Sequence, residues 1–347
     1  MMKRFKSRFG QITLSDSQGV ITDFQGKETL LEGAVTTALA GGVVDADGAF
    51  FFQRQLESIK ARSYDVKYPE LKARQLFPVS NEAGPGVTTI TYRTYDQAGV
   101  AKIINAYADD LPRADISGKE TSIPVVSLGI SYGYNIDEIQ ASQLIGASLD
   151  QKKANAAVRA IEKSINRIAF FGSAKDGLPG LFTDPNVPTG PVLDNGNGTQ
   201  WINKNPDEIV YDVNSLFGDI FDTTNMCEAA NTLLLPPSHY SYIASTPRSP
   251  TSDTTIAQYI VQNSIYINSL ADIIPVNECS GMHNPVLKKD CIIAYDRNPE
   301  KLSLEIPVEL EMMPVQQKGL TFVVPARARV AGLNIYYPLS MSIGTGI

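Results

Sequence analysis

The chain has 347 residues, 43% hydrophobic and 19% charged, with a formal net charge of −7. That length and apolar content support a substantial core in one large or two ordinary domains and exclude a disordered chain. The acidic balance excludes a surface that grips nucleic acid all round, and no apolar run is long enough to span a bilayer. Lys3, Arg4, Lys6 and Arg8 make the start basic, but no apolar stretch follows of the kind a signal peptide needs. The cluster reads either as a solvated terminus or as a DNA-facing one. Residues 1–47 carry little pattern and read as an extended arm, with a short helix near Leu30 and Leu31. From Ala49 to Tyr64 the spacing of Phe52, Leu56 and Ile59 predicts a helix, ended by Tyr68-Pro69.

Beyond the turn at Asn81–Gly86, two segments alternate with period two. Val87 to Asp96 is rich in β-branched and aromatic residues. In the second, Leu128, Ile130, Tyr132 and Tyr134 alternate with Ser127, Gly129, Ser131 and Gly133, a strand with one almost bare face. The polar stretch Gln97 to Glu120 between them reads as the long tip of a hairpin, and tips this long usually project to touch something. Asn135 to Phe171 contains no proline and would form one rod of about 55 Å. Asn135 and Glu138 form a capping box, and Gly172 is placed to end the rod. Ala154, Val158, Ile161, Ile165 and Ile168 make its apolar stripe. Lys152, Arg159, Lys163 and Arg167 fall on the other side, with Glu162 and Asn166 between them as a solvated back.

A loop rich in proline and glycine runs from Gly177 to Pro191, beginning GLPGLF. From Pro206, helices at Asp207–Phe221, Ser238–Ala244 and Thr255–Ser264 alternate with strands at Thr232–Leu235, Ile273–Val276 and Cys291–Tyr295. That order argues an α/β sheet covered on both faces. The tail returns to strands, first LSLEIPVEL with alternating apolar residues. Next comes TFVVPARARV, with Arg327 and Arg329 opposite Ala326, Ala328 and Val330.

Residues capable of chemistry are few and scattered. His239 and His283 have no metal-ligand spacing to a carboxylate or cysteine. Cys227, Cys279 and Cys291 show no C-x-x-C pattern and read as free thiols in a reducing compartment. No phosphate-binding glycine loop enters a helix, and the prolines of GLPGL remove donors that such a loop would need. Asp109, Asp110 and Asp115 on the hairpin tip read as contact and solubility residues rather than a cation site. Lys102 or Lys119 would need a desolvated pocket to form an isopeptide bond, and nothing in the sequence marks one. No catalytic residue, cofactor or metal is expected.

The order of parts (arm, helix, long hairpin, girder helix, proline-glycine loop, α/β domain, closing strands) resembles the major capsid proteins of tailed bacteriophages, with the HK97-type shell fold. The resemblance runs from FFFQRQLESIKARSYDVKYPEL to RVAGLNIYYPLSMSI and is similar to the encapsulin-like branch of phage and prophage capsids. It implies an α+β fold with an N-terminal arm at 1–47, the start of a peripheral domain at 48–86 and an extended hairpin at 87–134. A spine helix and loop would follow at 135–205, an axial domain at 206–300 and closing strands of the peripheral domain at 301–347. It implies a structural, non-enzymatic subunit that self-assembles into pentamers and hexamers of an icosahedral head enclosing double-stranded DNA. A separate scaffold, portal or cement protein would be the other partners, with no membrane, and the location would be the virion, after assembly in the host cytoplasm. Lys102, Asp109, Asp110, Arg113, Lys119, Leu178 and Pro179 would lie at contacts between subunits, and the basic arm would face DNA. The arm is too short for the large removable assembly domain many such proteins carry. The alternatives are an encapsulin-type compartment shell and, from another class, an α/β enzyme with the hairpin as a lid.

Overall fold

The computed structural model describes residues 66–103, 113–145, 149–196, 198–251 and 253–347, with four short strands before them and backbone alone at the helical positions within 141–150. The chain divides into two units, Met1–Tyr68 and Pro69–Ile347. In the first, β1 (Lys6–Ser7) pairs with β2 (Gly10–Gln11), and β3 (Ile21–Thr22) with β4 (Glu28–Thr29). The helix expected at 49–64, the one near Leu30 and the side chains of the basic arm lie outside the described residues.

The second unit is organised by its longest helix. The expected rod is described as two helices, α2 (Ile136–Ile145) and α3 (Leu149–Phe171), and residues 146–148 lie outside the described ones. Half of the expected capping box forms, with Asn135 N donating to Glu138 Oε2 at 3.4 Å. Lys153 Nζ lies 2.7 Å from the same oxygen, and that hydrogen bond, then the one from Asn135, holds the Glu138 carboxyl below its ordinary pKa. On α3, Ile161, Ile165 and Ile168 are buried as the period requires, joined by Ala157, Ala169 and Phe170, while Ala154 and Val158 are half-buried. The polar residues between the cations are not a solvated back. Asn166 is buried, its Oδ1 accepting from Ala73 N at 3.0 Å, and Glu162 pairs with Arg74 at 2.9 Å. Both hold α1 (Ala73–Leu76) against α3, and Arg74 reaches on to Glu309 at 2.8 Å.

Gly172 ends α3 with φ +61°, the left-handed conformation glycine adopts without cost. The chain then doubles back, with Ser173 bridging Leu178, Leu181 N donating to Ala169 O and Phe182 N to Phe170 O. The return is so close that a Cβ on Gly180 would stand 2.7 Å from Phe171 C and 2.9 Å from Gly172 Cα. Gly180→Ala must therefore push backbone from backbone, an overpacking cost of about 2–3 kcal/mol. Urea unfolding is expected to show that loss, and an unchanged midpoint would mean that the loop is not seated on α3.

Two small sheets flank α3. In one, β8 (Val126–Asn135) runs antiparallel to the whole of β16 (Thr321–Val330), which also pairs with β14 (Val308–Met312) and β15 (Gln316–Lys318). Ala326, Ala328 and Val330 face the core, and Arg327 and Arg329 face away, as their alternation predicts. In the other, β13 (Leu302–Glu305) lies between β5 (Val79–Ser80) and β17 (Gly332–Ile335). Here the alternation misleads, because Ser303 and Glu305 are buried too, with Ser303 Oγ donating to Glu305 Oε1 at 2.8 Å.

A five-stranded sheet follows, in the order β11 (Ile273–Pro275), β10 (Thr232–Leu235), β12 (Cys291–Tyr295), β18 (Met341–Thr345), β9 (Thr189–Pro191). It is mixed rather than purely parallel, since β12 runs antiparallel to both its neighbours. It also corrects the expected placement of the tail. The last strand, β18, belongs to this sheet and not to the two that flank α3. Leu233, Leu235, Ile292 and Ala294 face α4 (Pro206–Thr223), α5 (Pro237–Ser245) and α6 (Ile256–Asn263), while Leu234, Ile293 and Tyr295 join the core under α3. Covered on both faces, β10 and β12 are continuous apolar runs. Strands shared between the two cores tie them into one unit.

Candidate functional site

The hairpin is the part of the second unit that is not folded onto it. Its strands are β6 (Thr89–Ala98) and β7 (Asp115–Pro124), in register from Thr89↔Pro124 to Ala98↔Asp115. This corrects the sequence reading, in which Gln97–Glu120 was all tip and the 127–134 strand closed the hairpin. The tip between the strands is Gly99–Ala114.

The base of the ribbon is anchored. Ile123 is buried, the Tyr92 ring stands edge-on to Tyr336 at 5.0 Å, and Arg329 donates to Pro85 O and, at 2.6 Å, to Val87 O. From Arg93 and Glu120 outward, both faces of both strands are exposed. An isolated two-stranded ribbon is marginal in water, and this one carries Tyr95 at 66% exposure, Val100 at 80%, Ile103 at 95% and Ile116 at 63%. Large apolar side chains set out on a projecting arm are the signature of a docking element. The sequence reading singled out only polar residues here, although apolar residues in a polar stretch were the available signal.

The expected contact residues divide. Lys102, Arg113 and Lys119 are exposed on the hairpin, while Asp109 and Asp110 lie outside the described residues. Leu178 is 4% exposed and packs in this chain's own core, so its side chain is not offered to a neighbour. Pro179 is half-buried, its carbonyl accepting from Leu333 N at 3.2 Å.

Of the other chemistry-bearing residues, Cys227 and His283 are exposed, while His239, Cys279 and Cys291 are used within the fold. His239 Nε2 lies 3.0 Å from Asp290, which also accepts from Gly281 N and Ser280 Oγ. Burial raises the Asp290 pKa, but the hydrogen bonds from Gly281 and His239 outweigh it and hold the carboxyl below its ordinary value. Cys279 and Cys291 are buried free thiols, with Cys291 Sγ donating to Cys279 O at 3.2 Å, and burial pushes the Cys279 thiol well up. Such thiols are poor nucleophiles. Among the described residues, no cluster of three His, Cys, Asp or Glu is placed to hold a metal.

The second unit is thus a two-core body that carries an exposed ribbon. The profile of the family described as Major capsid protein matches residues 99–347, and the chain belongs to that family. The fold is that of HK97-type phage capsids. It is similar to the solved structure titled "The capsid of Myoviridae Phage XM1", with a TM-score of 0.74 and 19% identity over 87% of this chain and 100% of that one. Against "Mycobacterium phage Ogopogo" the TM-score is 0.59 at 10% identity, covering 85% and 98% of the two chains. The "Capsid of native GTA particle computed with C5 symmetry" gives 0.56 at 10% identity over 88% and 99%. No curated protein matches. The chain is thus a phage-type shell subunit that works as a homo-oligomer.

Proposed function

We propose that the chain self-assembles into pentamers and hexamers that close into the icosahedral head of a tailed phage or prophage, enclosing double-stranded DNA. The observation that carries this is the ribbon, anchored at its base and exposed on both faces beyond Arg93, which a neighbouring copy would cover. A ring or shell contact is heterologous, the ribbon of one copy meeting a different surface of the next, which is how cyclic and closed assemblies grow from one chain. The Major capsid protein family supports a genome-enclosing head over a compartment shell with enzyme cargo. A scaffold or portal would act with the chain during assembly in the host cytoplasm. The test is negative-stain electron microscopy with size-exclusion chromatography on the purified chain, alone and with the scaffold of its own head operon. Rings or closed polyhedral shells are expected, and a monomer under both conditions would overturn the proposal.

A further inference from the structure

We infer that the outward ridge of α3 is the surface that meets duplex DNA through its phosphates, an inference that rests on the reading above and gives it a site. Lys152, Arg159, Lys163 and Arg167 follow one another at spacings that return to one side of a helix. They form a single stripe about 22 Å long at 1.5 Å per residue. Lys152, Lys163 and Arg167 are exposed, and Arg159 is half-exposed, its Nη2 donating to Pro69 O at 3.1 Å. Asn155 and Ala156, which share that side, are exposed and uncharged.

From Gln151 onward α3 sets no acid of its own on the ridge. The only acidic residue from Gln151 to Phe171 is Glu162, and it is turned aside to Arg74 at 2.9 Å. Among the described residues, neither Lys163 nor Arg167 enters an ion pair. In a chain with net charge −7, α3 thus gathers four cations along one side. That is a local electrostatic footprint for a polyanion. Duplex DNA presents one negative charge per about 1.7 Å of its axis, so a straight cationic edge meets several phosphates without reading sequence. Repeated in every copy of a shell, weak contacts of this kind sum, and they assign the α3 ridge to the inner surface.

The test compares the full-length chain with Lys163→Gln/Arg167→Gln, a change that keeps helix-forming residues at both positions. Binding of a short fluorescent duplex DNA is measured across a KCl series. Losing two phosphate contacts is expected to flatten the slope of log K against log salt by about 1.8. An unchanged slope overturns the inference. Microscopy of the same samples reads shell formation separately, so shells with an unchanged slope would sink the ridge and leave the shell reading standing. Acetylation footprinting of the wild-type chain gives a second readout that needs no variant. Duplex DNA is expected to protect Lys163 relative to the exposed Lys288 and Lys289. No protection by DNA, or protection by polyglutamate alone, would overturn the inference, the latter in favour of an acidic protein segment.

Discussion

Lys204→Met is expected to destabilise the chain by about 3–5 kcal/mol, the cost of breaking a buried ion pair from one side. The Lys204 and Asp212 side chains are each 1% exposed, with Nζ 2.6 Å from Oδ2. Trp201 Nε1 donates to the same oxygen at 3.0 Å, and Lys204 Nζ also donates to Leu193 O at 2.6 Å. The pair thus fastens the connection between β9 and α4 over the start of that helix. Without the ammonium, the carboxylate keeps one indole donor in a site closed to water. Burial already raises the Asp212 pKa, against the opposing pull of Lys204 and Trp201. For a carboxyl whose folded pKa is raised, the folded state holds the proton more tightly than the unfolded one. Its stability relative to the unfolded state falls as pH rises from the unfolded value to the folded one, then stays level. Removing Lys204 lifts the folded value further. The penalty of Lys204→Met is therefore expected to be full at pH 7.5 and smaller near pH 5, and Lys204→Met/Asp212→Asn should recover part of it at neutral pH. Urea unfolding of the three proteins at both pH values checks this. A variant as stable as the wild type at pH 7.5 would show that Asp212 finds other compensation.

Nothing in the sequence marked this pair, and the reason is general. Periodicity reports which side of an element faces apolar surroundings, so it found Ile161, Ile165 and Ile168, the arginine–alanine alternation of β16 and the continuous runs of β10 and β12. It is blind to a polar side chain buried with a partner. Asn166 reads as solvated for that reason, and Lys204, Asp212 and Glu305 give no signal at all. It is blind in a second way where no face is buried. The outer part of β7 is exposed on both sides, so DISGKETSIP needs no alternation and read as loop. Pairing between distant segments leaves no local trace either. Nothing in Met341–Thr345 says that it lies beside Cys291–Tyr295 rather than beside the strands that flank α3. The projecting hairpin itself was legible, because its length exceeded what a compact domain uses. Its exposed apolar residues Tyr95, Val100, Ile103 and Ile116 were less so, since single apolar residues in a polar stretch form no periodic pattern.

Those apolar residues set the second prediction. Replacing Gly99–Ala114 by Asn-Gly, a two-residue turn suited to joining Ala98 to Asp115, is expected to leave a soluble folded chain that forms no closed shells. The fold should tolerate the change because the ribbon is held at the other end, by buried Ile123, by Tyr92 on Tyr336 and by Arg329 on the turn before β6. Deleting all of 97–120 would not be equivalent, since it removes most of β7 and with it the pairing that orders β6. Assembly should fail because the shortened ribbon loses its reach and, among the described residues, its two most exposed apolar ones, Val100 and Ile103. A specific interface typically buries about 800 Å² on each partner, and this variant removes the exposed apolar contribution of the ribbon's end to it. Circular dichroism and urea unfolding should match the wild type, while microscopy shows isolated subunits or open fragments. Normal closed shells from this variant would mean that neighbours hold one another through the body alone. The exposed ribbon would then need a different partner.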